Sequence, residues 1–285
     1  MVPLALPAAV TPASLSSSSL ISSLLSSSPG LGAGVLANTV VYILGNRVLL
    51  KGLALDGYLS SYVLGCLSYA AFGLTGYLIV CIYFLIGSYV TKLKMDVKVK
   101  EGTAEARGGR RGVGSVLGSG VAGMACAVAA LVLMATTSDA AAGAAAGQVG
   151  LLFATLKVGF VASFCSKLSD TVSSEVGKAY GKITYLATSF QQVPRGTEGA
   201  VSLEGTLAGV LASVLLGVCA VGGRLVDFRG LVCVIGASFV ANYAESLLGS
   251  GVQRGGHVRW LTNDVVNMLQ IILASVVAMA WYLLV

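Results

Sequence analysis

Three short polar runs, each ahead of or opening a long apolar stretch, carry the residue types that hold phosphate groups. They are Arg107-Gly108-Gly109-Arg110-Arg111-Gly112, Val193-Pro194-Arg195-Gly196-Thr197-Glu198-Gly199, and Thr262-Asn263-Asp264 with Asn267 one turn later. A helix N-terminus offers unpaired amides and partial positive charge, so it attracts anions. Gly and Pro permit the tight turns that bring amides close to a ligand. Arg107, Arg110, Arg111 and Arg195 add full charges, and Asn242, Asn263 and Asn267 add neutral groups that orient a substrate. For Arg110 and Arg111 the competing reading is anchoring to anionic lipid; for Asn263 it is helix capping.

Carboxylates complete the set. Asp170 and Glu175 stand in Asp170-Thr171-Val172-Ser173-Ser174-Glu175-Val176-Gly177, expected as a loop after the fifth span. Glu245 lies three residues after Asn242, and Asp264 opens the last span. Magnesium takes oxygen ligands, often one or two carboxylates plus substrate phosphates. Asp170, Glu175, Glu245 and Asp264 are therefore the candidate metal ligands, against the simpler reading that they pair with Lys167, Lys178, Arg195 or Arg254. The one histidine, His257, sits in a glycine-rich loop and is read as incidental. No Ser–His–Asp set, His-Glu-x-x-His motif or complete Walker loop is present. Phosphoryl transfer onto an existing phosphate needs no strong base, because that acceptor is already ionised; it needs alignment and charge neutralisation.

The elements that must position these groups are membrane spans. Of the 285 residues 56% are hydrophobic and 11% charged, with a mean hydropathy of +0.87; soluble domains carry roughly 25% charged residues. The fold class expected is all-α, a polytopic membrane protein. Residues 1–30 read as a serine-rich leader, a plastid transit peptide or a disordered segment, with ten serines between Ser14 and Ser28. Residues 31–285 read as one transmembrane helical domain with catalytic loops at 92–112, 167–204 and 249–267. About 20 helical residues cross a hydrocarbon core, which places spans near Leu31–Leu50, Gly57–Phe72, Gly73–Thr91, Val113–Thr137, Ala140–Phe164, Gly205–Gly223, Gly230–Leu248 and Val265–Val285. The uncharged run Gly57–Thr91 divides at Gly73 and Gly76 into two spans, or stays as one.

Two spans there give eight in all and bring fifteen of the eighteen Lys and Arg residues to one face, the side that faces the cytoplasm or its equivalent. One span gives seven and splits Arg47 and Lys51 from the rest. Gly118, Gly123, Gly143 and Gly147 are expected at close helix–helix contacts. The six cysteines form no Cys-x-x-Cys pair, so neither zinc nor a disulfide framework is indicated. The net charge of +6 is no argument for nucleic acid, because it reflects placement about a membrane. The sequence carries no signal of oligomeric state.

The run Asp170-Thr171…Ser174-Glu175-Val176-Gly177 continues into Val193-Pro194-Arg195-Gly196-Thr197-Glu198-Gly199…Ser202-Leu203-Glu204-Gly205-Thr206. After it come Asn242…Glu245-Ser246-Leu247-Leu248-Gly249…Gln253 and Leu261-Thr262-Asn263-Asp264-Val265-Val266-Asn267. Together these resemble the integral membrane family of plant phytyl-phosphate kinase and the animal transmembrane protein nineteen. The likeness runs from about Arg47 to Val285. The chain departs from it at Ser115, where the family favours Gln, at Gly199-Ala200 in place of Gly-Gly, and at Glu245, where Asp is frequent. The resemblance implies transfer of a phosphate from a nucleoside triphosphate, CTP, to phytyl phosphate with magnesium. The product, phytyl diphosphate, would feed tocopherol and phylloquinone synthesis at the chloroplast envelope membrane, with the active face toward the stroma or the cytoplasm-equivalent side. Its partners would be the nucleotide, a prenyl phosphate lipid and membrane lipids. A transporter or flippase of lipid phosphates, and a CTP-dependent lipid cytidylyltransferase, are the alternative activities.

Overall fold

The computed structural model describes residues 28–137, 142–253 and 260–285. The leader before Ser28, and Arg254, His257 and Arg259, lie outside the described residues. Among the described residues eight α-helices follow one another: α1 (Gly30–Gly52), α2 (Leu55–Thr91), the short α3 (Met95–Lys100), α4 (Val113–Thr136), α5 (Ala142–Tyr180), α6 (Leu203–Gly222), α7 (Phe228–Leu248) and α8 (Asn263–Leu284). Strands β1 (Tyr185–Leu186) and β2 (Ala200–Val201) pair antiparallel between α5 and α6. Seven of the described helices, all but α3, are long and apolar enough to cross a membrane.

The 37 residues of α2 make two passes. Gly73 has φ +62° and ψ −159°, a conformation that side-chain-bearing residues rarely adopt. The chain folds back there. The Asn38 amide donates to the Tyr62 carbonyl and accepts from the Tyr77 hydroxyl, although 62 and 77 would lie roughly 22 Å apart along a straight helix. At the far end, Gly57 and Gly87 both lie against Arg111. Each half of 18 residues spans roughly 27 Å, enough for a hydrocarbon core with slight thinning. The described chain therefore crosses eight times, and residues 52–55, 91–113, 181–202, 248–253 and 260–263 share one face, here termed the loop face.

Helix α5 is the axis of the bundle, packed against α2, α4, α6, α7 and α8. Phe160, Val161, Phe164 and Leu168 on it are fully buried. It also corrects the expected boundary. A span ending at Phe164 and a loop from 167 were expected, but the helix runs to Tyr180. Its 39 residues are roughly 58 Å long, about twice a hydrocarbon core, so the last turns, Lys167 to Tyr180, stand at and beyond the loop-face boundary.

Small residues make the close contacts, but not all where expected. A Cβ at Gly118 would lie 2.8 Å from the Asp264 carbonyl, and one at Gly123 would lie 2.6 Å from the Phe164 ring. Gly147 has nothing near it, so it makes no such contact within the described chain. The side chain environment of Gly143 lies outside the described residues. The tightest approach is at Gly209 of α6, where a Cβ would lie 2.0 Å from Ser173 Oγ of α5.

Candidate functional site

Ion pairs draw the loop face together. Lys98 of α3 is fully buried; its ammonium donates to Glu175 Oε2 at 2.5 Å and to the Thr91 carbonyl at 2.6 Å. Lys178 donates to Glu175 Oε1 at 3.2 Å and to Glu105 Oε1 at 3.0 Å. Arg195 pairs with Glu101. The segment 92–112 is thus strapped to the projecting end of α5 and to the loop between β1 and β2. Burial opposes ionisation of Glu105, but the Lys178 ammonium outweighs it and holds the carboxyl below its ordinary value.

A second group lies closer to the bilayer, between α5, α7 and α8. Lys167 pairs with Asp170 one turn later. The charged groups whose fields reach Glu245 are Asp170, Lys167 and Glu198. Asn242 donates to Ser169 Oγ at 3.1 Å and to Ser173 Oγ at 3.2 Å, which seats α7 on α5 beside the Gly209 contact. Gln270 donates to the Ser166 carbonyl and hydroxyl. Its own carbonyl oxygen is buried with no hydrogen-bond partner among the described residues. Asn267, one turn earlier, is also buried. Gly199, at φ +69°, packs on the end of α7, where a Cβ would lie 2.1 Å from the Ser250 amide.

A third group surrounds the first turn of α4. Asp56 Oδ2 accepts from the Val113 amide at 3.1 Å, and a Cβ added at Gly112 would meet both Asp56 Oδ2 and Arg107 Nη1. On the other side a Cβ at Gly114 would lie 2.2 Å from Asp264 Oδ2. Two carboxylates therefore flank one helix start, where the partial positive charge favours them. Arg111 turns inward, donating to the Tyr83 hydroxyl with its guanidinium 4.8 Å above that ring. Arg110 is exposed.

Several expectations are corrected. Asp170 and Glu175 lie on one helix five residues apart, so they point roughly 140° away from each other. Glu175, saturated by Lys98 and Lys178, holds the loop face together and does not share a metal set with Asp170. Among the described residues no three His, Cys, Asp or Glu side chains gather as metal ligands. The Gly196–Gly199 run is not at a helix start, since it leads into β2 and Ser202 caps α6 by accepting from the Gly205 amide at 3.1 Å. Thr197 instead folds its hydroxyl onto the Pro194 carbonyl. Asn263 is not the cap of α8; Thr262 accepts from the Val265 amide and fills that role, which leaves Asn263 exposed on the loop face.

Lys98, Gln270 and Asp56 were missed as part of this arrangement. Lys98 and Lys100 alternate identically in Met-Asp-Val-Lys-Val-Lys, and nothing local tells the buried one from the exposed one. Gln270 had a signal: an amide deep in a largely apolar span is expensive unless it faces a polar interior.

Fold and site together define a polytopic α-helical integral membrane protein with its charged chemistry gathered at one face. Residues 38–275 match the model of the family described as integral membrane protein DUF92, and the chain belongs to that family. It is 47% identical over 256 residues to Protein VTE6, chloroplastic, of Arabidopsis thaliana, covering 89% of this chain and 72% of that one. It is 44% identical over 222 residues to an uncharacterized membrane protein of Synechocystis, covering 78% of this chain and 80% of that one. An uncharacterized membrane protein of Methanocaldococcus jannaschii is 33% identical over 146 residues, 48% of this chain and 59% of that one. No solved structure matches the chain.

Proposed function

We propose that the chain is a prenyl-phosphate kinase that transfers a phosphoryl group from a nucleoside triphosphate, CTP, to phytyl phosphate. An oxygen of the lipid phosphate attacks the γ-phosphorus, the bond to the β-phosphate oxygen breaks, and CDP and phytyl diphosphate leave. The resemblance to the phytyl-phosphate kinase family motivates the substrate. The observation that carries the reading is the meeting of Lys167, Asp170, Asn242 and Glu245 at the membrane boundary, from helices far apart in sequence.

Asp170 and Glu245 lie within electrostatic reach of one another, as do Lys167 and Glu198. That donor set suits magnesium, which commonly binds one or two carboxylates plus substrate phosphates. Asp170 and Glu245 would hold the ion, and it would neutralise charge on the transferring group. Lys167, beside Asp170, would meet a phosphate oxygen. Arg107, Arg110 and the α4 start, with Asp264 and Asn263 alongside, would bind the remaining phosphates. Asn267 and Gln270 would orient the transferring phosphoryl group from below. The relative named chloroplastic supports a plastid location, and we place the chain in the chloroplast envelope with its active face to the stroma.

The test is purified protein in lipid nanodiscs with CTP, magnesium and phytyl phosphate, scored for CDP and phytyl diphosphate. Release of pyrophosphate would mark a cytidylyltransferase instead. Transbilayer movement of the lipid without nucleotide consumption would mark a flippase.

A further inference from the structure

Away from the ion-paired groups, an apolar cavity of about 70 Å³ lies between α1, both halves of α2 and α4. Leu49, Leu64, Val80 and Phe84 supply its walls, and Asn38 and Tyr77 close its deep end. Along α1 the lining runs from Asn38 to Leu49 and on to Leu53 in the following link, a length of roughly 22 Å at 1.5 Å per residue. At the loop-face end its wall includes Arg111.

Three observations say what fits there. Arg111 has no carboxylate within ion-pair distance among the described residues, and the Tyr83 hydroxyl is its hydrogen-bond acceptor. A cation held at the mouth of an apolar slot calls for an anionic head on an apolar tail. Ser88, next in the chain to Gly87, which lies against Arg111 Nη2, faces Gly52 of α1 and carries a buried hydroxyl without a partner among the described residues. Lastly, α1 packs substantially on α2 alone and buries only Gly34, Asn38, Tyr42 and Gly52. A peripheral helix attached on one side can part from its neighbour and admit a lipid from the bilayer.

We propose that this slot receives the tail of an isoprenoid monophosphate, entering between α1 and the α2 hairpin, with Arg111 and Ser88 meeting its phosphate. The cavity holds the first part of the tail, and the rest lies in the seam that α1 covers. The proposal rests on the prenyl-phosphate reading and adds where that substrate sits. The phosphate then stands beside the α4 start, where Arg107 and Asp264 converge.

The test uses geranylgeranyl monophosphate bearing a diazirine on its tail, photolysed with the full chain in nanodiscs and mapped by peptide mass spectrometry. Adducts are expected on α1, α2 and α4, competed by unlabelled phytyl phosphate and not by phytol. Val80→Trp, which fills the slot, and Arg111→Gln, which removes the anchor, should each weaken competed labelling about tenfold. Val218→Trp on the outer face of α6 should leave it unchanged. Competed adducts that map between α5 and α8 instead overturn this placement while leaving the kinase reading standing. Labelling that phytol competes equally well, as an ordinary membrane lipid would, overturns the anchoring by Arg111. An absence of competed labelling anywhere, together with no turnover, removes both readings.

Discussion

Lys98 and Glu175 stand 77 residues apart in the chain and meet at 2.5 Å with side-chain exposures of 0% and 2%. A buried pair of this kind gives little net stability as a pair, but either half left alone is an uncompensated charge. Lys98→Met should therefore destabilise the folded protein by about 3–5 kcal/mol, read as a large drop in the midpoint of thermal unfolding in detergent. Lys98→Met with Glu175→Leu should recover most of it. If the double variant is stable and active, Glu175 is a strut and not a ligand; if it is stable and inactive, Glu175 takes part in the chemistry after all.

The same strap sets a pH dependence. The Lys178 ammonium holds Glu105 below its ordinary value of 4.5, even though burial pulls the other way. A group whose folded pKa is depressed contributes stability that is present above the unfolded pKa and is lost as pH falls through the folded one. Stability should accordingly decline as the medium is acidified below 4.5, and Glu105→Gln should flatten that part of the curve. With Glu105 45% exposed in its side chain, the effect is modest, since solvent screens the pair. Melting curves of both proteins across the acid range decide it; parallel curves would remove the strap from the account.

Asp170 of α5 and Glu245 of α7 lie within electrostatic reach of one another, and the two should behave alike if they hold one ion. Asp170→Asn and Glu245→Gln are each expected to lower turnover by about two orders of magnitude; because Asp170→Asn leaves Lys167 unpaired, thermal unfolding of each variant separates a lost fold from a lost ligand. Raising magnesium should partly restore Glu245→Asp, which keeps the charge and shortens the reach. An activity that ignores magnesium concentration in every variant would count against the ion.

How far the sequence carried this arrangement differs by level. The eight passes were readable, because Lys and Arg placement favoured them and Gly73 marked the reversal; hydropathy alone leaves Gly57–Thr91 undivided. The sides of Arg195, Glu245 and Asp264 followed from the same counting. Pairings did not. Asp170 and Glu175 looked like members of one loop because Ser, Thr and Asp favour turns, but packing against α6 and α7 kept the helix going to Tyr180. Ser169 and Ser173 sit there as small residues under Gly209, a contact that local propensity cannot register. Which lysine would be buried was equally invisible, since Lys98 finds Glu175 only once α3 docks on α5.

The nearest approach between the α4 start and α8 offers the sharpest test of the face as a site. Gly114 leaves room for Asp264, whose Oδ2 would stand 2.2 Å from any Cβ added there. That contact is below the van der Waals limit, so Gly114→Ala must move the carboxylate, and Asp264 is exposed and free to move. The stability cost should be small, within about 1 kcal/mol, as for other surface adjustments. Turnover should fall nonetheless if Asp264 binds substrate or metal from its present position. In a double-mutant cycle, Asp264→Ala should then cost much less in the Gly114→Ala background than in the wild type, because the first change has already displaced the group that the second removes. Losses that simply add would mean that Asp264 and the α4 start act independently, and the convergence seen here would carry no chemistry.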